Sequence, residues 1–136
     1  MWDVFDGKAY LPPVTISYMV MSVEGKSVRP VFLKKGESTR EITKEDRLYR
    51  VKFKSERMTA IVAVLEPMSE SVVFKHDGEE FHLVMEGSLI YQVDDEEFHM
   101  EEGDVLWHKS SVPHRAKNPY SQEAVYITVG SPPTFI

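Results

Sequence analysis

From residue 46 to the end, no stretch of ten or more residues places apolar side chains at helical spacing; short extended runs succeed one another between turn-forming residues instead. A doubly wound α/β fold needs helices over both faces of its sheet, so this rhythm argues against it and for an all-β sandwich or barrel. Runs at 71–75, 80–85, 88–93, 96–100, 103–107 and 122–129 read as strands, and Gly78, Gly87 and Gly103 fall at the junctions between them. In SLIYQVDDEEFHM two extended arms meet at Asp94 and Asp95, whose short polar side chains tolerate the backbone angles of a tight hairpin.

Upstream, strands are predicted at 30–34, 48–53 and 59–65, the last ended by Pro67. The mixed-charge run from Lys34 to Arg50 reads as a solvated connection. Residues 1–30 hold Pro12, Pro13 and TISYMVM, an apolar run whose period fits a helical turn or a strand. They are expected to form an N-terminal extension or linker remnant that contributes an edge strand, with the barrel domain over 31–136. A chain of 136 residues holds one such core and has no room for a second.

Composition then removes whole classes of chemistry. With no cysteine, disulfides, thiolate metal sites and thiol nucleophiles are excluded, which leaves His, Asp and Glu as protein ligands for a metal. The formal charge of -6, with Lys and Arg scattered along the chain, argues against this chain gripping nucleic acid unaided. No run approaches the roughly 20 apolar residues needed to cross a bilayer, and MWDVFDGKAYLPPV lacks the basic and apolar regions of a secretory signal. A soluble, cytoplasmic protein with no membrane partner is the expectation. Phosphate-cradling glycine loops and nucleophile elbows are also missing from the sequence.

The stretches HDGEEFHLVMEG and EEGDVLWHKSSVPHRAKNP resemble the two signature motifs of the cupin superfamily. In the first, a His, three residues, a Glu, six residues and a Gly correspond to His76, Glu80 and Gly87. In the second, the opening Gly and the closing His and Asn correspond to Gly103, His114 and Asn118. The resemblance implies a double-stranded β-helix, the jelly-roll barrel of cupins, in which His76, Glu80 and His114 meet at a divalent metal. Three positions depart from the pattern: Phe74 stands where an earlier His is often found, and Lys109 and Ser111 replace a Pro and a Gly of the second motif.

SSVPHRAKNP and the terminal VGSPPTF are similar, more narrowly, to the carboxy-terminal cupin effector domain of XRE-family helix-turn-helix regulators. TISYMVMSVEGKSVRPVFLKKGES is similar to the segment that joins the DNA-binding helices to the barrel in those proteins. A helix-turn-helix needs roughly 55 residues that this sequence does not contain. The chain reads as a truncated regulator or a free-standing relative.

Two imidazoles and one carboxylate suit Fe, Zn, Ni, Co or Mn as divalent ions and leave positions open for a ligand. Glu79 is expected to face solvent, opposite Glu80, and His82 to share the face of Glu80. His82 is then either a group that orients a ligand in the cavity or a core histidine bonded to the backbone. One of His108 and Trp107 could line the mouth of the pocket, His99 is expected to be exposed, and Tyr91, Phe81, Leu83 and Met85 are assigned to the core. Two functions are carried forward. The first is a sensor of a small-molecule ligand that alters how a DNA-binding domain is held; the alternative is a metal-dependent dioxygenase, isomerase or decarboxylase. In either case a homodimer is expected, because pairing caps exposed sheet edges.

Overall fold

The computed structural model describes residues 21–22, 30–35, 42–44 and 47–133, which include strands and no helix. In chain order the strands are β1 (Met21–Ser22), β2 (Ile42–Lys44), β3 (Arg47–Lys54), β4 (Thr59–Leu65), β5 (Ser69–Glu70), β6 (Glu79–Glu86), β7 (Leu89–Val93), β8 (Glu96–Met100), β9 (Val105–Lys109), β10 (His114–Asn118) and β11 (Ala124–Ser131). The larger sheet has the order β1-β3-β4-β11-β6-β9, with β2 also paired to β3; the smaller has the order β5-β10-β7-β8. Every pairing is antiparallel except β1 with β3. The fold is all-β, two sheets facing each other as the expected jelly roll requires.

Local chemistry accounts for most of these elements. β4 is the β-branched run TAIVAVL, and it is flanked on both sides, by β3 and β11. β7 and β8 are joined through Asp94 and Asp95, and Asp94 takes the left-handed conformation (φ 56°) expected of a short polar residue in such a turn.

Three sequence expectations need correction. Residues 30–34 form no strand: Pro30 has no N–H to give to a ladder, and Phe32 lies 80% exposed. Residues 71–75 are extended but join β10 only through separate bonds, with Phe74 and His114 exchanging both backbone hydrogen bonds at 2.8 and 2.9 Å. β10 itself, HRAKN, is absent from the expected strands because it carries only one apolar residue. Its inner row of His114, Ala116 and Asn118 is buried, between the outward Arg115 and Lys117. Of TISYMVM, only Met21 lies within the described residues.

The two sheets enclose one apolar core that includes Ile61, Ala63, Leu65, Val84 and Tyr126 from the larger and Leu89, Tyr91, Met100 and Ala116 from the smaller. Asn118, at the end of β10, closes it. Its amide donates to the carbonyls of Leu65 and Gln122 at 3.0 and 2.8 Å, and its oxygen accepts from the backbone N–H of Tyr120 at 2.9 Å. The core assignment holds for Tyr91 and fails for Phe81 and Met85, which lie on the outer face, 37% and 45% exposed, with Leu83 between them only half-buried. Period-2 alternation forces this result: Glu80, His82 and Val84 occupy the inner face of β6.

Candidate metal centre

β6 delivers Glu80 and His82 to the interior, and strand register decides what they meet. Glu80 lies opposite His108 on β9 and Gly130 on β11; one step along, His82 lies opposite Leu106 and Thr128. His114 opens β10 on the facing sheet. His76 precedes the turn through Asp77, Gly78 and Glu79. Backbone bonds from His76 N to Ser110 O (2.9 Å) and from Ser110 N to Gly78 O (2.8 Å) tie that turn to the segment leading into β10. Gly78 has φ +105°, and a Cβ there would stand 2.2 Å from the Ser131 carbonyl oxygen, so only glycine lets the turn sit this close to the end of β11.

The side chains converge on the Glu80 carboxylate. His76 Nε2 is 3.0 Å from Oε2, while His82, His108 and His114 present Nε2 to Oε1 at 3.3, 3.5 and 3.6 Å. His76, Glu80 and His114 offer ligand atoms within 4.8 Å of one another, and so do Glu80, His82 and His108. Only His76 is appreciably open, its side chain 21% exposed against 8% or less for the other four.

Hydrogen bonds on the far side of the rings fix their tautomers. Nδ1 of His76, His108 and His114 lies 3.1, 2.9 and 2.8 Å from the carbonyl oxygens of Asp77, Lys109 and Val112. A carbonyl can only accept, so each Nδ1 carries the proton, and in the neutral ring each Nε2 turns a lone pair inward. Backbone contacts of this kind orient metal-ligating histidines. His82 differs, with Nδ1 2.8 Å from the Thr128 hydroxyl and Nε2 2.9 Å from His108 Nε2.

Glu80 Oε1 and His114 Nε2 are buried and have no hydrogen-bond partner among the described residues. An acceptor oxygen facing an inward lone pair 3.6 Å away is costly to bury unless positive charge lies between or beside them, as a proton or a metal ion. Burial by itself would raise the Glu80 carboxyl. Hydrogen bonds that His108, His114 and His82 donate to it when their rings are protonated, with the positive charge His82 then carries, outweigh burial and hold the group far below the usual carboxylate range. A carboxylate among imidazole nitrogens, with no sulfur, is a donor set for a borderline divalent ion.

All five residues singled out by sequence reasoning therefore lie in one cluster. Between His108 and Trp107, His108 points inward; Trp107 is 55% exposed and donates to Glu79 Oε1 at 2.7 Å. Sequence reasoning missed Thr128, which β11 places beside His82; its only signal was a threonine between the apolar Ile127 and Val129.

The cupin domain family model matches residues 61–130, which contain all five residues. Solved structures share the fold. One is a protein from Thermus thermophilus, 25% identical, with a TM-score of 0.58 over 62% of this chain and 84% of that one. Another is the cupin domain of an XRE family transcriptional regulator from Enterobacter cloacae, 18% identical, with a TM-score of 0.54 over 58% and 85%. A third is a cupin-superfamily sugar phosphate isomerase from Silicibacter pomeroyi, 25% identical, with a TM-score of 0.50 over 55% of this chain and 50% of that one. No curated protein matches the sequence.

Proposed function

The chain belongs to the cupin domain family, and from that premise we propose that it holds a divalent metal through His76, Glu80 and His114 and uses it to sense a small polar molecule. In this reading it is the effector domain of a helix-turn-helix transcriptional regulator, or a relative of one. The observation that carries the metal assignment is the buried pair Glu80 Oε1 and His114 Nε2, 3.6 Å apart and without hydrogen-bond partners among the described residues, on a ring turned inward by the Val112 carbonyl. Fe, Zn, Ni, Co and Mn all suit this donor set. Bound there, such an ion supplies a Lewis-acidic anchor for oxygen atoms of the sensed molecule.

The chain's own residues do the rest. His76 and His114 hold their rings through backbone carbonyls, Glu80 supplies negative charge, and the exposed edge of His76 is the side from which a ligand reaches the cluster. Sensing needs no turnover; it needs a ligand that favours one of two arrangements of the domain and its partner. Support comes from the likeness of SSVPHRAKNP to regulator cupins and from the fold shared with the Enterobacter cloacae domain.

The protein is further proposed to act as a homodimer in the cytoplasm. Phe81, Met85, Val105 and Trp107 form an exposed apolar patch at the β6–β9 end of the larger sheet, which a second copy would cover. Among the described residues no helix is long and apolar enough to cross a membrane. The acidic chain by itself is not expected to grip nucleic acid.

One observation favours a second reading, a small metal-dependent enzyme. His82 links the Thr128 hydroxyl to His108 by contacts of 2.8 and 2.9 Å beside Glu80, an arrangement able to carry a proton. Thermal-shift measurements on metal-loaded protein against a panel of small acids, sugars and amino acids separate the two. A sensor gives a metal-dependent rise in melting temperature with the compound recovered unchanged. Consumption of the compound favours the enzyme, and a panel without any metal-dependent shift speaks against both.

A further inference from the structure

We propose that His108 is a ligand of the same ion, from a strand that neither signature motif's ligands occupy, and that His82 sets its ring before the ion arrives by donating a hydrogen bond; this rests on the metal-binding reading above. Four facts lead there. His108 Nδ1 is 2.9 Å from the Lys109 carbonyl, so the ring turns its Nε2 lone pair inward, as His114 does through Val112. Its Nε2 is 3.5 Å from Glu80 Oε1, against 3.6 Å for His114, so both rings stand at the same range from the oxygen that the two candidate ligand groups share. The ring is 5% exposed. Direct pairing of Glu80 with His108 across β6 and β9 holds the two side chains on one inner row.

The proton on His82 follows by elimination. Its Nε2 lies 2.9 Å from His108 Nε2, and two nitrogens so close share one hydrogen. His108 keeps its proton on Nδ1, so the shared hydrogen belongs to His82 Nε2, and His82 Nδ1 then accepts from the Thr128 hydroxyl at 2.8 Å. When a cation takes the His108 lone pair, the same N–H of His82 has Glu80 Oε1 at 3.3 Å as its alternative acceptor. His82 can therefore stay uncoordinated, holding His108 before the cation arrives and Glu80 after it. Protein nitrogens bind such ions at about 2.0–2.1 Å, which sets neighbouring ligand atoms roughly 3 Å apart, the scale of the contacts around Glu80.

Zn²⁺ is the probe. X-ray absorption of the Zn²⁺-loaded protein should count three imidazoles, where His76 and His114 alone would give two. In ¹⁵N-resolved imidazole spectra, Zn²⁺ should shift the His108 Nε2 resonance while His82 keeps its proton on Nε2. His108→Gln should weaken Zn²⁺ at least tenfold in a competition titration and remove one imidazole, with circular dichroism confirming the fold. His82→Gln should weaken Zn²⁺ less and leave the count at three. A wild-type count of two, or Zn²⁺ bound by folded His108→Gln as tightly as by wild type, overturns this inference and leaves the proposed function standing. Failure of the wild type to bind Zn²⁺, Co²⁺ or Ni²⁺ overturns both. If His108→Gln does not fold, the wild-type count and spectra decide.

Discussion

The two faces of β6 have exchanged the polarities that strands of soluble proteins usually show. Its inner row begins Glu80, His82 and turns apolar only at Val84, while its outer row is Phe81, Leu83 and Met85. The far part of the barrel interior behaves conventionally, filled by Leu65, Leu89, Met100, Ala116 and Ala124. A buried carboxylate surrounded by imidazoles contributes little to stability unless each group is satisfied, and exposed apolar side chains cost solubility. The contrast is what the proposed function requires of this strand: an inner row able to hold a cation and an outer row that a second copy would cover.

Changes to the inner row should break the contrast most severely. His114→Ala or Glu80→Ala is expected to lower divalent-metal affinity by roughly tenfold or more in competition titrations, with the strand signature in circular dichroism retained, since losses of supporting contacts alone cost that much. The outer row should respond in the opposite sense. Phe81→Ser with Trp107→Ser is expected to shift the protein from dimer to monomer in sedimentation velocity while metal affinity changes by less than about twofold, because neither side chain faces the cluster. A monomeric wild type would remove half of the contrast.

Thr128→Val keeps shape but removes the hydroxyl that His82 Nδ1 contacts at 2.8 Å. Loss of a buried hydrogen bond of this kind costs about 1–3 kcal/mol, which chemical denaturation will register. The smallest effect concerns acid. The native Glu80 carboxyl is held below its ordinary value of 4.5, so as pH falls through that region the unfolded chain takes up a proton that the native chain refuses. Stability present above about pH 4.5 should therefore decline below it, and Glu80→Gln should make that decline shallower in denaturation curves taken from pH 6 to 3. Parallel curves for the two proteins would show that Glu80 contributes nothing to the acid response.

Much of this was legible in the sequence because it is local. His76 and Glu80 flank a single turn, and alternation assigns Glu79 to solvent and His82 to the interior without knowledge of any partner strand. His108 was harder, since its role depends on the register that sets it opposite Glu80, which no spacing within one segment discloses. Thr128 was hidden for the same reason. β10 escaped because Arg115 and Lys117 mask the period-2 row of His114, Ala116 and Asn118. Hydrophobicity draws Phe81 and Met85 inward, but the inward placement of Glu80 and His82 on the same strand requires them to face out.

Elemental analysis of protein purified without a chelating tag, beside the triple variant His76→Ala, Glu80→Ala, His114→Ala, tests the shared cation most directly. Wild type should carry about one divalent transition-metal ion per chain after extensive dialysis, and the folded variant essentially none. Equal metal content in the two proteins, or a wild type that cannot be loaded, would contradict the account.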